Sequence, residues 1–93
     1  MEEVDDIKKI VLRRLIRSNI WGGKHIPLDI AKKSVPERYR NTHKGIRILE
    51  EAMKQLVNNE WINAVSKRTG KSDDAHISLN PRKVSEIKQF LGM

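Results

Sequence analysis

The sequence predicts an α+β domain built mainly from α-helix, and three observations predict it. Apolar residues recur at helical spacing in three separate stretches, around residues 4–16, 46–57 and 84–91. Between the last two, Trp61-Ile-Asn-Ala-Val-Ser66 is apolar and β-prone, and Ala75-His-Ile-Ser-Leu79 alternates apolar with polar residues, the period of a strand. With 93 residues, the chain can bury one modest core and is too short for two lobes around a cleft.

The elements follow in order. Asp5 or Asp6 can cap a first helix that runs to about Ser18 or Asn19. Val4, Ile7, Val11 and Leu15 stack along one side of it, Leu12 and Ile16 widen that stripe beyond what one neighbour needs, and Lys9, Arg13 and Arg17 form a basic stripe elsewhere. Trp21-Gly22-Gly23 ends the helix. His25-Ile26-Pro27-Leu28 reads as a brief edge strand, because Pro27 has no N–H to give to a ladder. Asp29 then starts a two-turn helix to about Val35, with Ile30 and Ala31 inward, and Pro36 stops it. Residues 36–41 form a long turn that can hold one turn of helix begun by Pro36.

Asn41 or Thr42 caps the long central helix, whose apolar face is Ile46, Leu49, Met53, Leu56 and Val57. Asn58-Asn59 ends it. The strands at 61–66 and 75–79 flank a loop containing Lys67, Arg68 and Lys71, and Gly70 supplies a positive φ there. Asn80-Pro81 caps a last helix carrying Val84, Ile87 and Leu91, with Phe90 near its edge. Trp21 and Trp61 are expected to cover the ends of the core.

Composition narrows the function classes. Aromatic residues are only 4% of the chain, so the core rests on Ile, Leu and Val, and single-strand stacking platforms are disfavoured. The absence of cysteine excludes a disulfide framework and thiolate chemistry and suits a reducing, cytoplasmic setting. No apolar run approaches a membrane span, and the acidic start is unlike a signal peptide. The net charge of +7 is concentrated: residues 36–48 carry +3 and residues 61–72 a further +3. Such clustering is expected of a face that meets a polyanion. Gly70-Lys71-Ser72 is not a nucleotide-binding P-loop, since Val65 stands where that motif has its first glycine and a strand, not a helix, follows. His25, His43 and His76 fall in separate elements without carboxylate or cysteine at ligand spacing, so no metal site is expected. With no catalytic constellation and no cofactor motif, the chain does not read as an enzyme.

A basic-tipped hairpin directly after a long amphipathic helix is similar to the wing of a winged helix-turn-helix. The whole order resembles that family (α-β-α-α-β-wing-β) over about residues 5–79, with an added C-terminal helix over about 81–91, all in one domain spanning 1–93. Leu56-Val-Asn-Asn-Glu-Trp-Ile62 looks like the stretch where such domains leave the third helix and enter the wing. Gly23-Lys24-His25 and Ser78-Leu-Asn-Pro-Arg82 look like small, largely uncharacterised archaeal winged-helix proteins.

The resemblance implies a double-stranded DNA-binding transcription regulator with its third helix in the major groove. Opposite the apolar face of that helix lie Lys44, Glu51 and Gln55, with Arg47 and Asn58 beside them. Arg47 is the candidate for base contact, because its fork can meet guanine O6 and N7 together. Arg38, Arg40, His43 and Lys44 precede or open the helix and suit phosphates, and Thr42 with the free amides beside it can hold one more. Lys67, Arg68 and Lys71 are expected on the flanking backbone. Two other roles fit the same residues: a structural or ribosome-associated RNA-binding winged helix, and a protein-interaction winged helix. Finally, Leu12 and Ile16 with Val84, Ile87 and Leu91 are expected to form a homodimer interface, the rival being cover by the chain's own last helix.

Overall fold

Helix α1 (Glu2–Arg17) begins ahead of both aspartates expected to cap it. The computed structural model describes residues 2–69 and 72–93, and the side chains of all of these except 66–74. Glu2, Glu3 and Asp5 occupy the first turn of α1, where carboxylates face the positive end of the helix dipole. Asp5 is not a cap; its carboxylate reaches Lys8 Nζ at 3.3 Å. The helix stops short of Trp21-Gly-Gly because Asn19 turns left-handed, φ 55°, a conformation Asn tolerates better than most residues. That turn sends Ile20 back into the core, a burial the helical pattern does not signal.

The chain then forms β1 (Ile26–Pro27), α2 (Leu28–Lys32), α3 (Arg38–Asn41), α4 (His43–Asn58), β2 (Ile62–Thr69), β3 (Ser72–Leu79), a 3-10 turn over Pro81–Lys83, and α5 (Val84–Leu91). The result is an α+β fold, mainly helical, with one three-stranded antiparallel sheet in the order β1-β3-β2. Pro27 stands on the outer strand, where its missing N–H costs no ladder bond. Helix α2 starts at Leu28, not at Asp29, and Ile30 is 40% exposed instead of facing inward; Ala31 and Val35 take the buried places.

Both strands of the hairpin are longer than expected. Pairing runs from Ile62↔Leu79 out to Thr69↔Ser72, so Lys67 and Arg68 belong to a strand and not to a loop. Among the described residues no helix is long and apolar enough to cross a membrane.

The core gathers the buried side of α1 (Val4, Ile7, Val11, Leu12, Leu15) with Leu49, Ala52 and Leu56 of α4, Ile62, Ile77 and Leu79 of the sheet, and Ile87 and Leu91 of α5. Each fully buried Leu or Ile contributes about 1.5–3 kcal/mol of transfer free energy. The buried line of α4 is Gly45-Leu49-Ala52-Leu56, whereas Ile46 and Val57 remain 39% and 41% exposed. The inward direction is thus turned roughly 60° from the one the large apolar residues suggest. Small residues at 45 and 52 face the neighbouring helices and let them approach, which a count of bulky side chains cannot anticipate.

Helix α5 packs against α1 and covers Leu12, which is fully buried. Ile87 and Leu91 are likewise buried within a single chain, the intramolecular cover that is the rival to an interface between copies, while Ile16 and Val84 stay half-buried. Lys8 is enclosed at the same seam, 6% exposed, donating to Gln55 Oε1 at 2.9 Å and lying 5.1 Å from the Phe90 ring centroid. A buried ammonium is tolerable only when paired and hydrogen-bonded, and here both conditions hold. Trp61 packs on Phe90 with ring centroids 5.1 Å apart and closes that end of the core.

Candidate nucleic-acid interface

The candidate surface is built at the corner where α3 meets α4. Thr42 is extended (φ −118°, ψ 150°) and caps α4: its Oγ1 accepts from Gly45 N at 3.0 Å and donates to Arg38 O at 2.6 Å. Residue 45 must be glycine. A Cβ there would fall far inside contact distance of the Arg38 carbonyl oxygen and 2.7 Å from Tyr39 Cα. The corner is therefore a close crossing of two backbones, tied by one hydroxyl that serves both helices.

Tyr39 anchors the corner to the body. It is 5% exposed, and its hydroxyl donates to Glu3 Oε2 at 3.1 Å while accepting from Arg38 Nη2 at 3.0 Å. This is a core role. Arg38 lies over the Tyr39 ring at 4.8 Å, and that hydrogen bond, then the charge of Tyr39, raises its affinity for its proton. Arg40 Nε donates to Val35 O at 3.2 Å, which fixes the base of its side chain beside the end of α2. Both arginines are exposed but already committed to the protein.

Along α4, His43, Lys44 and Arg47 are exposed, and none of them pairs with another described residue. Together with Ile48 and Glu51 they line one shallow depression. Glu51, expected on this face beside Arg47 as part of the contact surface, accepts from Gln55 Nε2 at 3.0 Å, and Gln55 in turn holds Lys8. Gln55 is thus drawn toward α1 and leaves the outer face. Ile48 is half-buried and packs on the core, so it is a wall of the depression and not an exposed contact. The rotation of α4 brings out Lys54, which the sequence reading passed over.

No family model, no curated protein and no solved structure matches the chain.

The remaining candidates lie on the hairpin. Lys67 and Arg68 have their backbone in β2, opposite Asp74 and Asp73 respectively, and their side chains lie outside the described residues, as does the whole of Lys71. The hairpin from 62 to 79 carries three bases and two acids. Its net charge is therefore smaller than the basic run at 67–71 suggests.

The histidines were expected to stand apart, yet two of them meet. His25 and His76 approach with Nδ1 atoms 3.0 Å apart and ring planes at 89°, because Pro27 pairs with His76 and brings the preceding residues alongside. One ring must donate and the other accept. Among the described residues no group of three or more His, Cys, Asp or Glu side chains is placed to hold a metal ion.

Proposed function

We propose that the chain is a winged helix-turn-helix that binds double-stranded DNA, with the outer face of α4 in the major groove and the hairpin along the flanking backbone. The observation that carries this reading is the corner at Thr42–Gly45. It fixes α4 rigidly at its N-terminal end and leaves Lys44 and Arg47 outward, with no pairing among the described residues. Cations held at the opening of a well-anchored helix can exchange solvent for phosphate and base edges without first breaking internal bonds. The element order around it, a helix and short strand before and a two-stranded hairpin after, supports the same assignment. Transcription regulation is the role such binding would serve.

Competition between duplex DNA, duplex RNA and single strands at fixed salt tests the reading. Duplex DNA is expected to win, with the slope of log K against log salt about −4 if about four phosphates are met. Arg47→Ala is expected to cost about 1–3 kcal/mol on a preferred site and to relax the preference at one position. Affinity that ignores salt overturns nucleic-acid binding altogether. A preference for duplex RNA transfers the same face to a structural RNA partner.

A further inference from the structure

A groove of about 820 Å³ runs between α2 and α4 on the flank of α4 away from Lys44. Its apolar lining is Leu28, Ile46, Leu49, Met53 and Val57. Ile46, Met53 and Val57 lie along one line of α4, and Ile46 and Val57 are 39% and 41% exposed. From Ile46 to Val57 the line extends roughly 16 Å, the length of three helical turns. Lys32, Lys33, Arg40 and Lys54 border it, against only Asp29 and Glu50. An aliphatic line beside a cleft, bordered by charge of mainly one sign, is the surface that an amphipathic helix of the opposite charge fills.

We propose that this groove receives an acidic amphipathic helix of a different protein. A second copy of this chain would bring the same four bases against themselves across a two-fold axis. Nor can a copy offer its own acidic helix end, because the apolar side of α1 is buried in its own core. Nucleic acid could meet the bordering bases but is a poor occupant of the groove itself, since sugar and phosphate would leave the aliphatic line without apolar cover. The inference stands apart from DNA binding, because Lys44 and Arg47 border the other depression.

The test uses a stapled helical peptide of about 14 residues, with leucines on one face and glutamates elsewhere. A second peptide of identical composition has its leucines dispersed around the helix. Binding of the first at a Kd of roughly 10 µM is expected, with the second weaker by about tenfold or more. Ile46→Asp and Val57→Asp alter positions that are already two-fifths exposed, so each variant is expected to keep the wild-type circular dichroism and to bind the first peptide about tenfold more weakly. Equal affinity for both peptides would reduce the effect to general attraction by a +7 chain and overturn the proposal. So would unchanged binding by Val57→Asp, or no binding at roughly 100 µM. Self-association of the wild type that Val57→Asp abolishes would overturn the choice of occupant.

Discussion

At the scale of single residues, Gly45 decides the geometry of the candidate interface. Glycine ordinarily makes a helix less stable than alanine does, by up to about 1 kcal/mol in the interior, and Gly45 stands in the first turn of α4. Here the sign reverses, because the atoms a methyl group would strike belong to the backbone of α3 and cannot rotate away. Gly45→Ala is expected to lower stability by about 3 kcal/mol, and Thr42→Ala by about 1 kcal/mol through loss of the cap. Urea titrations at unchanged m-value measure both; a stabilised Gly45→Ala would mean the corner is more open than described. Neither role was equally legible beforehand. A cap at Asn41 or Thr42 is legible because such residues before an apolar-periodic run signal one, and the structure selects Thr42. Gly45 gave no signal, since a backbone crossing between elements leaves no trace in local pattern. Lys8 was invisible for the same reason: its partners Gln55 and Phe90 come from two distant helices.

At the scale of elements, the hairpin shows how pairing reshapes a charge argument. Its existence was legible from the period-two alternation of residues 75–79. Its length was not, because Lys67-Arg68 and Asp73-Asp74 look like solvated loop when read separately. The register sets Lys67 against Asp74 and Arg68 against Asp73, and opposite charges across an antiparallel pair favour strand by about 0.2–1 kcal/mol. If the hairpin bases meet phosphates, the opposing acids weaken that contact. The double variant Asp73→Asn, Asp74→Asn is therefore expected to bind every duplex more tightly, by about threefold to tenfold. Electrophoretic mobility shift on two unrelated sequences checks this; unchanged affinity would take the hairpin out of the interface. Helix α4 teaches a related point, since its inward face was misjudged by following Ile46 and Val57 in place of Gly45 and Ala52.

At the scale of the whole molecule, α5 completes the core that α1 begins. The width of the apolar stripe on α1 correctly indicated a second neighbour, but not whether that neighbour came from the same chain. Within one chain, α5 already buries Leu12, Ile87 and Leu91. Leu12→Glu is accordingly expected to unfold the protein, at a cost above about 3 kcal/mol for an unpaired buried carboxylate. Thermal unfolding followed by circular dichroism reads this directly. A Leu12→Glu chain that stays folded and merely sediments more slowly would restore the interface between copies.

Asn80 ties together the feet of the hairpin and the ends of two helices. Its backbone N–H donates to Trp61 O at 2.9 Å, its Nδ2 to Glu60 O at 2.8 Å, and its Oδ1 accepts from Arg82 N at 3.0 Å. Mechanically, the hairpin is a cantilever and Asn80 is its clamp. Each arm has eight residues, a length of roughly 26 Å, so a tilt of about 10° at the clamp sweeps the far end through roughly 4–5 Å. A displacement of that size equals the spacing between neighbouring strands in a sheet. The direction in which the arm leaves the body is thus set at its foot, by the Asn80 bonds to Glu60 and Trp61 together with the pairing of β1 and of Ile20 and Gly22 with β3.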